Sequence, residues 1–380
     1  MQRRALLTLS DRILGHRMTF SLAFTSHTSL LALGAALLFT AACSSSSVGT
    51  PASPASAAPS DGQPDHNAPI TEPPVPPPVT ANPLKGAKLF VDPEANVVLK
   101  ANHLRKTDPE KAALLDKIAK QPQALWMGEW NSNIYRAAKH FVDRAMADGS
   151  VAVIIAYNIP HRDAAAVAEG VGASAGGLAS KEKYQRWIRD VYAGVGSRPV
   201  AIILEPDALP GISSLKPELQ EERYFLFNDA VKVLRQNPQA AVYIDAGHGK
   251  WVPAKEMAER LKKAGVEHAS GFALNTSNYR TTEESIAYGK EVSAMIGGKH
   301  FVIDTSRNGA GPWEGAKTIT EMWCNPPGRK IGRPPTTETG DPLIDGFLWL
   351  KRPGESDGEC ERNEPKAGVF WLEQALEYAK

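Results

Sequence analysis

Val200-Ala201-Ile202-Ile203-Leu204-Glu205-Pro206-Asp207 is five aliphatic residues in a row, halted by a carboxylate, a proline and a second carboxylate. A run with no polar alternation is what a strand needs when both of its faces are covered, which is the situation of a strand inside a parallel sheet. Proline then removes a ladder donor and ends the strand. Downstream comes a helical pattern over 217–235, and after it a new aliphatic run, Ala241–Ile244, again closed by a carboxylate, Asp245. Upstream, Val151–Tyr157 precedes a helical pattern over Lys181–Val195.

Extended in both directions, the same alternation gives strands at Ala124–Gly128, Ala269–Leu274, Phe301–Ile303 and Gly346–Leu350. Helices are expected at Ile134–Ala147, Val252–Ala264 and Thr282–Ile296, each long enough for a right-handed crossover. About seven βα units are compatible with an open doubly wound sheet or with a barrel. The absence of GxGxxG after the first strand, and the polar or acidic residues that end nearly every strand, favour the barrel, whose strand ends converge on one face. The fold expected is α/β, a distorted seven-stranded parallel (β/α) barrel forming a single catalytic domain over residues 85–380.

The 380 residues carry 43 basic and 42 acidic side chains, so net charge gives no reason for a nucleic-acid or anionic-membrane partner. A content of 42% hydrophobic residues, with eight Trp, excludes global disorder. Ahead of the barrel, Arg3, Arg4, Arg12 and Arg17 precede an uncharged apolar run from about Ser29 to Ala42, the pattern of a signal peptide or an uncleaved N-terminal anchor over residues 1–43. Leu37-Leu38-Phe39-Thr40-Ala41-Ala42-Cys43 resembles a bacterial lipoprotein site, which makes Cys43 a lipidation candidate; an ordinary small-residue cleavage site is the other reading. Residues 44–84 are rich in Pro, Ala and Ser, and 51–84 hold eleven of the 29 prolines, so this stretch is read as an extended linker. Membrane contact is expected only through the N-terminal segment, and the location expected is secreted or extracytoplasmic, with a tether at the surface as a variant. A barrel of this size needs no second copy, so a monomer is expected.

The residues that follow the strands include Asp163, Asp207, Asp245, Asp304, Glu355 and Asp357. Any one of them could cap the next helix. Together they mass like charge at one mouth, and neighbouring carboxylates are a means of driving pKa values apart. Metal hydrolysis would call for HExxH or clustered His, and the nine histidines are scattered with no HExxH, so no metal and no cofactor are expected. Cys324 lacks a local His partner, which leaves cysteinyl nucleophile chemistry without support. Glycoside hydrolysis, with one protonated and one ionised carboxyl, fits better. Trp126, Trp130, Trp251, Trp313 and Trp323 stand in loops where an indole face could meet a pyranose ring, with Trp251 and Trp323 favoured, and Trp349 is expected in the core.

The ordered set Tyr157…Arg162-Asp163, Glu205-Pro206-Asp207, Asp245-Ala246-Gly247-His248…Trp251, Asn275-Thr276-Ser277-Asn278-Tyr279, Asp304-Thr305-Ser306-Arg307-Asn308-Gly309, Thr339-Gly340-Asp341-Pro342 and Lys351…Pro353-Gly354-Glu355…Asp357-Gly358 resembles glycoside hydrolase family 6, the β-1,4-glucanases and cellobiohydrolases, over roughly 86–380. The resemblance implies inverting hydrolysis of a β-1,4-glucan such as cellulose or cello-oligosaccharides. It implies Asp207 as general acid, Asp163 as its tuning neighbour, Asp357 as the contested base, and Tyr157 as the side chain that distorts the central sugar. Trp126, Trp251, Trp323, Lys351, Glu355, Asp245, His248, Asn275 and Arg162 are implied as sugar contacts, and Cys324 and Cys360 as a disulfide. Ala164 stands where many members begin another disulfide. The segments about 325–340 and 358–368, which wall a tunnel in processive members, are short, so internal chain cleavage is expected over exo action; a silent glycan-binding barrel is the reading from a different class.

Overall fold

The computed structural model describes residues 62–79, 82–164 and 176–380. The export segment with Cys43 and the first part of the Pro-rich stretch lie outside the described residues.

Seven parallel strands run in chain order: β1 Leu125–Met127, β2 Ala152–Ala156, β3 Val200–Leu204, β4 Ala240–Asp245, β5 Gly271–Leu274, β6 His300–Asp304 and β7 Ile344–Leu348. Helices connect them: α1 Asn96–Leu104 and α2 Pro109–Ala119 precede β1, and α3 Ile134–Ala147, α4 Lys181–Val195, α5 Pro217–Leu234, α6 Ala254–Lys263, α7 Thr282–Met295 and the short α8 Ile319–Trp323 follow successive strands. A C-terminal helix, α9, spans Leu372–Tyr378. The strand bounds fall within a residue or two of those read from the aliphatic runs. The last strand ends at Leu348, two residues before the aliphatic run does, because the backbone N–H groups of Leu350 and Lys351 turn onto the Asp304 carboxylate at 3.2 and 3.1 Å.

Alternation within the strands divides two cores. Val153, Ile155, Ala201, Ile203, Ala241, Tyr243, Ala273, Val302 and Leu348 fill the interior of the curled sheet, while Ile154, Ile202, Leu204, Val242, Ile244, Phe272 and Ile303 pack under the helices. Three alanines on β3, β4 and β5 suit the narrow interior that seven strands leave. No ladder joins β1 to β7; the seam is held by Ala124 N donating to Trp349 O at 2.9 Å, by Trp126 Nε1 to Leu350 O at 2.8 Å and by Arg352 Nε to Ala124 O at 2.7 Å. Trp349, just past β7, is buried in a third cluster with α1, α2 and α9, as expected of a core residue.

Residues 62–79, read from composition as linker, are instead strapped across the outer helices. Arg186 and Arg189 on α4 donate to the carbonyls of Ala68 and Thr71 at 3.1 and 2.9 Å, Gln236 donates to Pro74 O at 2.8 Å, and His66 Nε2 meets the Asp190 carboxylate at 2.8 Å. Polyproline-like chain lacks donors but keeps every carbonyl free, and long side chains from the helices use those acceptors. The compact unit accordingly takes in these residues together with the barrel.

Candidate active site

The turn after β3 is built in an uncommon conformation: Glu205 and Asp207 have φ of 52° and 68° on either side of Pro206. Non-glycine residues in this region cost about 1–2 kcal/mol each, so the turn needs external support. Glu205 supplies it. Its fully buried carboxyl accepts from Asn158 N and Ile159 N at 2.8 and 3.0 Å, tying the ends of β2 and β3 together. Burial raises the Glu205 carboxyl to about 7, against those two hydrogen bonds.

Asp207 stands at the mouth, with its backbone N–H donating to Asp245 Oδ2 at 3.0 Å. Burial, then the negative charges of Asp245, Asp163 and Asp357, push its carboxyl well above the ordinary Asp value, and Lys351 only partly offsets them. Burial raises Asp245 as well, although Thr276, Asp207 N and Gly247 N all favour its ionised form. Ionising Asp207 would set a second negative charge against that of Asp245.

Asp163, six residues beyond Tyr157, accepts from the Tyr157 hydroxyl at 2.5 Å. Arg162 lies flat over the Tyr157 ring, 4.2 Å from its centroid, and is gripped by Glu129 through Nη2 at 2.7 Å. Burial and then the Asp163 charge raise the Tyr157 phenol far above its usual value, so it stays protonated. Trp126 meets the same tyrosine edge-on at 5.1 Å.

Asp357 lies in the opposite kind of environment. Arg307 Nη1 donates to its two oxygens at 2.9 and 2.8 Å, Lys351 Nζ lies 3.1 Å away, and Asn325 N and Tyr279 OH donate to Oδ2 at 3.1 and 3.3 Å. Burial alone would raise this carboxyl, but Arg307 and Lys351 outweigh it and hold Asp357 below the usual carboxylate range. Each member of the Asp207–Asp357 pair is thus driven in its own direction, the pattern expected of an acid and an ionised partner.

The structure sorts the remaining expected contacts. Trp251 is 38% exposed, with its ring centroid 6.0 Å from that of His248, and Trp126 and Trp323 are half-buried. Burial and then Arg280 lower His248 to about 4, which leaves a neutral imidazole near neutral pH. Four of the expected sugar contacts also have partners within the protein. Asn275 is fully buried and donates to the carbonyls of Arg280 and Asp304, Asp245 is buried beneath Asp207, and the Arg162 guanidinium is enclosed by Glu129 and Tyr157. Glu355 is turned to Asn96 Nδ2 at 3.4 Å and Arg352 Nη1 at 3.7 Å. Asp304 likewise spends both oxygens on backbone N–H groups, those of Ser277, Ser306, Leu350 and Lys351. Cys324 and Cys360 form a disulfide, closing a separation of 36 residues.

Arg307, Tyr279, Glu205, Glu129 and Asn325 were not singled out from the sequence as site residues. For Arg307, an arginine three residues after the strand-end Asp304 is the signal that could have found it.

The family model "Glycosyl hydrolases family 6" matches residues 84–380. Endoglucanase A of Thermobispora bispora is 42% identical over 296 residues, covering 76% of this chain and 61% of its own length. Endoglucanase A of Cellulomonas fimi is 43% identical over 270 residues, covering 70% and 56%. The chain therefore spans somewhat over half of these two relatives. The endoglucanase Cel6 of Mycobacterium tuberculosis, solved in complex with a methyl-cellobiosyl-4-deoxy-4-thio-β-D-cellobioside, superposes with a TM-score of 0.73 at 42% identity, over 78% of this chain and 98% of that one. With its paired carboxyls set at the mouth of a seven-stranded parallel barrel, the chain belongs to glycosyl hydrolase family 6.

Proposed function

We propose that this protein is an inverting endo-β-1,4-glucanase acting on internal bonds of cellulose-type glucans. The observation that carries the reading is the opposed surroundings of the two carboxyls, Asp207 beside Asp245 and Asp357 between Arg307 and Lys351. Asp207, kept as a carboxylic acid by burial and by its acidic neighbours, gives its proton to the glycosidic oxygen as the bond breaks. Asp357, held ionised by Arg307 and Lys351, polarises the water that attacks from the opposite face and stabilises positive charge developing on the sugar ring. Asp163 adds a negative charge that keeps Asp207 protonated, and through the Tyr157 hydroxyl it fixes the ring that presses on the central sugar. Trp126, Trp251 and Trp323 offer apolar faces for neighbouring glucosyl units.

Internal rather than terminal cleavage is supported by the names of the relatives: those at 40–43% identity are endoglucanases, while the cellobiohydrolase C of Aspergillus fumigatus is 28% identical. We extend the proposal to a monomer exported from the cytoplasm, either released or tethered through Cys43, which the Cys324–Cys360 disulfide supports because such bonds persist in oxidising compartments. The test of the cleavage mode is viscometry of a soluble cellulose derivative alongside reducing-end release. A steep fall in viscosity at little sugar release is expected; release in step with viscosity would favour exo action.

A further inference from the structure

Asn325 lies outside the strand ends, directly after the disulfide-bonded Cys324, yet it makes more contacts with the loop that carries Asp357 than any barrel residue described above. It is buried and left-handed, with φ of 45°. Its backbone N–H donates to Asp357 Oδ2 at 3.1 Å, and its side-chain Oδ1 accepts from Asp357 N at 2.8 Å. One residue thus grips both the carboxylate and the backbone of Asp357. Oδ1 also accepts from Gln374 Nε2 on α9 at 3.0 Å. The two hydrogens on Nδ2 face Glu364 Oε2 at 2.8 Å, Ser356 Oγ and Gly358 O at 3.0 Å, and Cys360 Sγ at 3.2 Å. The amide therefore links the disulfide, the C-terminal helix and both neighbours of Asp357 in a single network whose bonds depend on one another.

From this geometry we infer that Asn325 is a positioning residue for the reaction, acting through Asp357, and that the Cys324–Cys360 disulfide contributes to turnover by holding Asn325 in place. The inference rests on the proposed role of Asp357. Around that carboxylate stand Arg307 after β6, Lys351 after β7 and Tyr279 after β5, the last bonded to Tyr378 on α9; Asp207 approaches across the mouth and Glu364 lies on the far side of Asn325. Arg307 and Lys351 neutralise Asp357 but hold only its carboxylate. Asn325 fixes its backbone. Loss of that grip loosens the Arg307–Asp357 pairing, with two consequences: poorer orientation of the carboxylate and a weaker hold on its ionised form.

The test is Asn325→Gly, because glycine keeps the left-handed backbone and its N–H donor while removing the amide. Wild type and variant are compared in kcat, KM and thermal melting on a soluble cello-oligosaccharide, with the Asp357 titration followed separately by carbon NMR of labelled aspartate. Expected are a kcat lower by about 10–100-fold, KM within about threefold, an acidic limb of the kcat profile moved to higher pH, and a matching upward move of the Asp357 titration. Asn325→Asp, which keeps the acceptor but adds a charge, should move the same titration upward again while recovering part of the ordering. Unchanged kcat, or a fall in melting temperature with no movement of the Asp357 titration, would overturn the inference. The titration is read without turnover, so an inactive wild type would defeat the glucanase reading while this measurement still decided the role of Asn325.

Discussion

Arg307 and Asp357, fifty residues apart, form a fully buried pair in which one guanidinium nitrogen reaches both carboxylate oxygens, at 2.9 and 2.8 Å. The arginine is stacked over Tyr279 at 4.5 Å, and its other terminal nitrogen donates to Ser277 O, so it has little freedom to move away. A carboxylate held this way is reliably ionised but weakly basic. It suits a group that orients and polarises water more than one that takes a proton outright.

Replacing Arg307 with Met should leave Asp357 buried opposite a single cation, Lys351. The fold should lose about 3–5 kcal/mol, the cost of stranding one partner of a buried pair. The acidic limb of the pH profile should move upward, since Asp357 then protonates more readily. Chemical denaturation and a kcat profile read the two effects independently.

Asp207→Asn removes the proton donor and should lower kcat by about 10²–10⁴-fold, with affinity for a cello-oligosaccharide retained by calorimetry. Wild-type activity should fall as pH rises through the raised Asp207 value, because the acid form is then lost. Stability carries the same sign. A carboxyl raised in the folded state stabilises the fold below its unfolded value, near 3.9, and that contribution disappears as pH climbs through the folded one. The melting temperature of Asp207→Asn relative to wild type should therefore be higher at pH 8 than at pH 4.

Glu205, raised to about 7, obeys the same rule over a defined window. Its contribution is present below its unfolded value of about 4.3 and is lost between there and about pH 7. Glu205→Gln should flatten the stability-against-pH curve across that interval. An unchanged slope would mean that the buried carboxyl does not titrate there.

The strap makes a prediction about boundaries. A chain that begins at residue 80 forfeits the bonds from Arg186, Arg189, Gln236 and Asp190 to residues 66–74. Relative to one that begins at residue 62, it should melt about 2–6 °C lower, with its rate at 25 °C nearly unchanged because the strap lies on the outer helices.

What could be read in advance follows from how local each feature is. The strands were legible because Val200–Leu204 and Val151–Tyr157 have no polar face, and Asp207 because it closes such a run beside a proline. Which way a strand-end carboxylate turns was not legible. Asp304 is consumed by backbone N–H groups contributed from residues 277, 306, 350 and 351, and Glu355 faces Asn96, 259 positions away. Composition alone also did not show the bonds made by residues 62–79, because proline reports on missing donors, and the donors came from arginines and a glutamine on α4 and just after α5. Asn325 escaped notice for a similar reason: a polar residue after a cysteine carries no periodicity, and its partners span residues 356–374.

The most direct test of the account is the configuration of the first product. Wild type and Asp207→Ala, both beginning at residue 62, would be mixed with a soluble β-1,4-gluco-oligosaccharide and followed by proton NMR before mutarotation sets in. The account predicts an initial α-anomer from wild type and negligible product from the variant. An initial β-anomer, or oligosaccharide bound by wild type without cleavage, would contradict it.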